Sequence, residues 1–576
     1  MEIINTPRKR KPRAGAVLML LLAVVCGLAL GTYLWHEYVP NWRHEAPDFN
    51  GNPKPVFYEG EMLDLPAIGE KDSLKLPFEM VKEQLDPTMA REDKTNSVII
   101  TTTDKVIRLQ TSQLTALINE KPFQLKFPLE KTGDRFYLPM EPLKMLYRIE
   151  LRESQETGAV ILVKEGDTIR WAKIKTVPDK PEKKLAMRKD STIKAPILAD
   201  LVQGEEVMVW GEEGEWAKIL LKNGYTGYMK QSDLTELREE VIPKQEPAAS
   251  PIQWKPPGGK INLTWEQVVE KNPDTAKIST MPGLNVVSPT WFHLADGQGN
   301  LKNLASAAYV KWAHERGYQV WGLFSNGFEP KQTTEALSTY DKRMNMIKQL
   351  LSFAQMYKLD GINIDFENVY TADKQNLTQF VREMTPLLHE QGLVVSIDVT
   401  PKSGTEMWSL FYDRPALAQT VDYMMVMAYD EHWASSPKAG SVASLPWVEK
   451  TVQVLLQEEK VPASKLVLGI PFYTRLWTEE MKDGKTKVSS RAIFMDTSKR
   501  IMKEKGLTPE FSKETGQNYV EYTEDGKLQR IWLEDEASVK SRLELVNKYD
   551  LAGIASWRRG YESPELWEFI RTHLIP

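Results

Sequence analysis

Apolar and polar positions alternate with different rhythms along the chain, and the most regular rhythm begins at Lys260. Eight short apolar runs follow: KINLTW (260–265), LNVVSPTWF (284–292), YQVWGLF (318–324), GINIDF (361–366), LVVSIDV (393–399), YMMVMAY (423–429), LVLGIPFY (466–473) and GIASW (553–557). Segments such as LASAAYVKWAHERG, NMIKQLLSFAQMYK and NLTQFVREMTPLLHEQG lie between most of them. Their apolar residues recur every three or four positions, and two close on Gly317 and Gly392, as a helix carboxyl terminus does. Strand alternating with helix eight times over residues 260–576 predicts a (β/α)8 TIM barrel of the α/β class. Residues 477–540 exceed an ordinary connection and predict an inserted lobe beside the cleft.

Upstream the rhythm changes to period two. Between residues 95 and 180, segments such as VIRLQ, FQLKFPL, RFYLPM and AVILVKEGDTIRWAKI are separated by turn residues, which predicts a β-rich domain. The stretch INEKPFQLKFPLEKTGDRFYLPMEPLKMLYRIEL resembles the small domain first named from copper amine oxidases; the likeness implies no copper site. Residues 183–237 form a second all-β pattern, in which EEVMVWG, WAKILL and TGYMK are divided by GEEGE and KNGY. It resembles the bacterial SH3-like domain, whose family commonly holds cell-wall peptide; a spacer with packed Trp210 and Trp216 is an equal reading. A Pro-, Ala- and Gly-rich linker (238–259) leads to the barrel, and a polar, proline-containing stalk (35–94) precedes both β modules.

The amino terminus carries a basic tail (1–13, with RKRKPR at 8–13) and then an uncharged run of 21 residues, 14–34. That length crosses a ~30 Å hydrocarbon core, and the basic flank stays cytoplasmic, so a single-pass anchor with an extracytoplasmic bulk is expected. Cleavage near Ala29–Gly31, giving a secreted protein, is the alternative; Val in the AVV before Cys26 argues against a lipoprotein signal. Net charge is −5, so no global basic field draws the chain to nucleic acid. With one cysteine, no paired metal ligands and no Gly-rich phosphate loop, no metal or cofactor is expected. Nothing in the pattern fixes an oligomeric state.

The run DGINIDFENV (360–369) is the chemical anomaly. Strand alternation puts Asn363, Asp365 and Glu367 on one face and Ile362, Ile364 and Phe366 on the other. In a barrel the polar face looks inward, where burial and a charged Asp365 would keep Glu367 protonated, fit to protonate a leaving glycosidic oxygen. Other polar strand ends (SPTW, SNG, DVTPK, AYDEHW, SWRR) with Trp291, Tyr429, Trp433 and Trp557 suggest an aromatic-lined cleft for a sugar chain.

DGINIDFE closely resembles the glycoside hydrolase family 18 signature DGxDxDxE, and MAYD (427–430) and the strand ending in Trp557 match that family's later motifs. The resemblance implies substrate-assisted, retaining hydrolysis. Glu367 would be the acid and then the base, Asp365 would orient the 2-acetamido group, and Tyr429 would hydrogen-bond its oxygen. Asp430 would line the sugar site and Trp557 would floor it; from their place at strand ends, Met427 and Trp291 are further candidate sugar contacts, with barrel filling the other reading for Met427 and packing an equal one for Trp291. Asn363 stands where the family has aspartate; it would support Asp365 by a hydrogen bond without sharing a proton. The family's spore-cortex branch carries the same NIDFE form, which moves the expected substrate from chitin toward peptidoglycan; a chitinase and a non-catalytic lectin-like wall protein are the competing readings.

Overall fold

The computed structural model describes residues 14–178, 180, 182–244, 258–482 and 484–574; the basic tail and the linker residues 245–257 lie outside the described residues. The apolar run forms one helix, Ala14–Tyr38, with Leu18–Tyr38 long and apolar enough to span a membrane (mean hydropathy 2.2).

Eight parallel strands close on themselves. They are β1 (Ile261–Glu266), β2 (Val286–Leu294), β3 (Gln319–Ser325), β4 (Gly361–Asp365), β5 (Val394–Val399), β6 (Tyr423–Met427), β7 (Leu466–Pro471) and β8 (Gly553–Trp557). Neighbours in sequence pair in order, and β1 closes the ring by pairing with both β2 and β8. Helices α1 (Ala307–His314), α2 (Tyr340–Tyr357), α3 (Lys374–Glu390), α4 (Arg414–Thr420), α5 (Leu445–Gln457), α6 (Glu536–Lys548) and α7 (Leu566–His573) are among the connections. Gly317 and Gly392 take φ of 76° and 73°, the left-handed turn that ends α1 and α3 and that side chains resist.

Strand alternation sorts the side chains into two cores. Ile362, Ile364 and Phe366 join the annulus between strands and helices, with Val395, Ile397 and Val399 of β5. Burying each such side chain stabilises the fold by roughly 1.5–3 kcal/mol. Inside the barrel, Leu263, Trp265, Trp321, Leu323, Tyr423 and Met425 fill the lumen, with Tyr429 and Trp557 packed on them. The lumen is therefore plugged below the carboxyl ends of the strands, and the polar residues of β4 sit on that plug.

After β7 comes a five-stranded antiparallel sheet built from Tyr473–Lys482, Lys485–Phe494, Glu510–Ser512, Gln517–Glu524 and Lys527–Trp532, with its own core of Leu476, Ile493, Ile501, Val520, Ile531 and Leu533. It occupies the span read as an inserted lobe.

The chain divides into two units: residues 1–87, 111–114 and 124–248, and residues 88–110, 115–123 and 249–576. In the first unit a seven-stranded sheet contains the strand Thr168–Ile174 between Glu206–Glu213 and Leu234–Val241, so the last strand of the upstream β pattern completes the SH3-like sheet. The second unit carries an addition that sequence periodicity does not announce. Short strands between Ala90 and Gln124 form a five-stranded sheet grouped with the barrel, and Ile99 and Val106 enter the barrel's annular core. Arg343 of α2 lies fully buried, pairs with Glu383 of α3 through two 2.8 Å hydrogen bonds and reaches Glu92 of this sheet at 3.3 Å. Arg108 grips Asp341 through both carboxylate oxygens and covers the Tyr340 ring.

Candidate active site

β4 ends at Asp365, and the next turn delivers Glu367 above the lumen plug. Two buried side chains fix that turn. Asn326, just beyond β3, donates to the Glu367 carbonyl (2.8 Å) and accepts from the Glu367 N–H (3.1 Å). The Tyr412 hydroxyl donates to the Phe366 carbonyl at 2.8 Å. The carboxylate is thus aimed by backbone clamps from both sides rather than by its own hydrogen bonds.

The electrostatics follow from burial without cations. Desolvation, the Asp365 charge and the Asp430 charge, in that order, push the Glu367 pKa well above its ordinary value. Burial pushes Asp365 up to about 7. The Tyr429 phenol is driven upward by burial and then by Asp398, so it stays a neutral donor. Asp430, at a left-handed φ of 60°, accepts from the Tyr473 hydroxyl at 2.6 Å and has Arg475 at 3.5 Å, both from the first strand of the inserted sheet. Tyr473 also meets the Tyr429 ring edge-on, with centroids 6.4 Å apart. Trp557 leans on Trp265 of the lumen with ring centroids 6.0 Å apart and is half-buried.

The charge coupling gathers Asp365, Glu367, Tyr429 and Asp430 at one end of the barrel. Such a set can hold a protonated carboxyl, an ionisable neighbour and a phenol donor around one reacting centre. Among the described residues no cluster of His, Cys, Asp and Glu suited to a metal ion is present.

Residues 302–562 match the family described as glycosyl hydrolases family 18. The barrel is a family 18 glycosyl hydrolase domain. Upstream, residues 56–162 match the copper amine oxidase N-terminal domain and residues 183–235 the bacterial SH3 domain. The "Uncharacterized glycosylase YvbX" of Bacillus subtilis (strain 168) is 27% identical over 285 residues, 47% of this chain and 80% of that protein. The "Cortical fragment-lytic enzyme" of the same organism is 26% identical over 252 residues, 43% of this chain and 57% of that protein. Human "Di-N-acetylchitobiase" is 25% identical over 268 residues, 40% of this chain and 69% of that protein. The match thus spans less than two thirds of the cortical enzyme's own length.

Within this family 18 barrel, two sequence expectations need correction. Trp291 is not brought to the cluster: it is 0% exposed, packs edge-on against Tyr309 and gives its indole N–H to Asn272. A register shift in β2 between Thr290 and Phe292 rotates Trp291 into the annulus, which strict alternation does not anticipate. Asn363 does not hydrogen-bond Asp365; its amide donates to Asp398 at 2.6 Å and its oxygen accepts from Ser396 at 2.8 Å, both on β5. Glu431 accepts the Ser444 N–H at 2.8 Å at the head of α5. Met427 is half-buried at the end of β6, next to the Tyr429 turn. Trp433 stands 52% exposed on the loop beyond it.

Sequence reasoning missed Asn326, Tyr412, Tyr473 and Arg475. Only SNG after the third apolar run hinted at Asn326; the others lie 43 to 46 residues from the groups they hold, and no local pattern links them.

Proposed function

We propose that this chain is a membrane-anchored, exported glycosidase that hydrolyses N-acetylglucosamine linkages in peptidoglycan by substrate-assisted retaining chemistry. The observation that carries the reading is Glu367, clamped at the end of β4 and kept protonated by burial, Asp365 and Asp430. Glu367 gives its proton to the departing glycosidic oxygen while the substrate's own acetamido oxygen attacks the anomeric carbon, the route that departs from the two-carboxylate scheme. Asp365 steadies the positive charge on that acetamido group, and Tyr429 donates to its oxygen. Glu367, now a carboxylate, takes a proton from the incoming water, which restores the acid and retains configuration. Trp557, half-buried, offers its ring to the sugar, and Asp430 lines the same subsite.

The peptidoglycan assignment draws on the cortical fragment-lytic relative and on the bacterial SH3 domain, and the anchor on the apolar helix Ala14–Tyr38. The test is to incubate the full chain and its Glu367→Gln variant with purified peptidoglycan and with chitin, identifying new reducing ends by mass spectrometry. N-acetylglucosamine ends released from peptidoglycan by the native chain alone are expected. Release from chitin alone, in keeping with the di-N-acetylchitobiase likeness, would replace the substrate. Binding without cleavage by both proteins would overturn the enzymatic reading.

A further inference from the structure

Asp398 of β5 is a buried acid that the mechanism above does not use. It is 1% exposed, and its β5 neighbours Ile397 and Val399 face the annulus, so its side chain points into the barrel. β4 and β5 pair in parallel with Ile364 opposite Ile397, which brings the next two residues, Asp365 and Asp398, level on strands about 4.8 Å apart. One Asp398 oxygen, Oδ2, is fixed by the Asn363 amide at 2.6 Å. The other, Oδ1, is buried without a hydrogen-bond partner, and so is Oδ1 of Asp365. The groups that face Asp398 are Asp365 and Glu367 from β4 and its turn, Tyr429 from beyond β6, Tyr412 from beyond β5 and the Trp265 indole from β1. No cation is among the groups that act on it.

Three carboxyl groups gathered at this end of the barrel, Asp398 buried and Asp365 and Glu367 half-buried, resist ionising together, because each added negative charge raises the cost of the next. Two oxygens without a hydrogen-bond partner on level carboxyls, with only the Trp265 indole N–H as a further nearby donor to Asp398, are met at low cost by a proton held between the pair.

We propose that Asp398 is a positioning residue that shares a proton with Asp365, with Asn363 as the clamp that leaves Oδ1 to carry it. When Asp365 ionises to meet a developing positive charge, its proton passes to Asp398 rather than to solvent; one O–H bond breaks and one forms within the pair. Burial and the Asp365 charge, which hold Asp398 well above the ordinary carboxylate range, suit it to receive that proton. The role in turnover rests on the glycosidase reading; the proton sharing does not.

The experiment compares the full-length chain with Asp398→Asn and with the exchange variant Asn363→Asp/Asp398→Asn, which moves the carboxyl across to β4. Infrared pH titration follows the protonated-carboxyl stretch, and the pH profile of glycan cleavage is recorded in parallel. In Asp398→Asn the remaining buried carboxyls should titrate about one pH unit lower, having lost a negative neighbour. Both limbs of the activity profile should move the same way, and the exchange variant should return them toward the native position. Titration of the remaining carboxyls at the native pH in Asp398→Asn would overturn the proposal, as would activity lost with unmoved limbs. If the native chain itself cleaves no glycan while the infrared shift is present, the glycosidase reading fails and the proton pair stands. If Asp398→Asn does not fold, the exchange variant carries the test alone: carboxyls that titrate about one unit lower there overturn the sharing.

Discussion

Asn326 holds Glu367 by its main chain on both sides, donating to its carbonyl and accepting from its N–H. The carboxyl's aim therefore depends on a residue 41 positions earlier, just beyond the neighbouring strand.

Asn326→Ala removes both clamps and leaves the turn free to shift. Cleavage should fall roughly tenfold to a hundredfold in kcat with little change in KM, because a small misplacement of an acid is costly in turnover. Steady-state kinetics beside an unchanged circular dichroism spectrum checks this. Loss of binding instead would mean that Asn326 contacts the glycan.

Asp430 acts on Glu367 through its charge. Asp430→Asn should lower the Glu367 pKa and move the alkaline limb of the activity profile to lower pH. Tyr473→Phe keeps the charge but frees it, so a loss of roughly tenfold to a hundredfold with a smaller limb shift is expected, in line with one hydrogen bond to a charged group. Equal limb shifts in both variants would contradict the assignment.

Stability should depend on Asp365 in the direction opposite to a salt-bridged acid. The unfolded chain releases this proton near pH 4, whereas the folded site keeps it up to about 7. Ionisation therefore costs the folded state progressively between those values and fully above them. Asp365→Asn should raise stability at pH 8 by roughly 2 kcal/mol, allowing for charge sharing with Glu367, and change it little at pH 4. Chemical denaturation at the two pH values reads the difference.

Arg343 neutralises two buried acids, Glu383 and Glu92. Arg343→Met leaves both without it in the interior and should cost about 3–5 kcal/mol. Restoring neutrality with Glu383→Gln and Glu92→Gln in the same chain should recover much of the loss. No recovery in the triple variant would place the cost in packing.

The eight-strand count, the inward carboxylates and the outer isoleucines were legible because strand period and barrel geometry make one face polar and the other apolar. Trp291 escaped because one irregularity in β2 breaks the period that such reading relies on. Asn363 was placed on the correct face, but its partner depends on the β4–β5 pairing, and register between strands 33 to 35 residues apart is written in no local pattern. The same limit hid Asn326 and Tyr473. Local pattern fixes a side chain's direction; its partner is fixed by which strands become neighbours.

The sheet between Ala90 and Gln124 has a consequence for genetic exchange. Its strands are encoded far upstream of the barrel, yet Ile99, Val106, Glu92 and Arg108 complete the surfaces of α2 and α3. A recombination breakpoint in the linker before Lys260 would strip those helices of their cover and strand the Arg343 charge cluster half-paired. The catalytic barrel can thus be inherited, borrowed or cloned intact only together with a segment of what looks, in the linear gene, like a different domain.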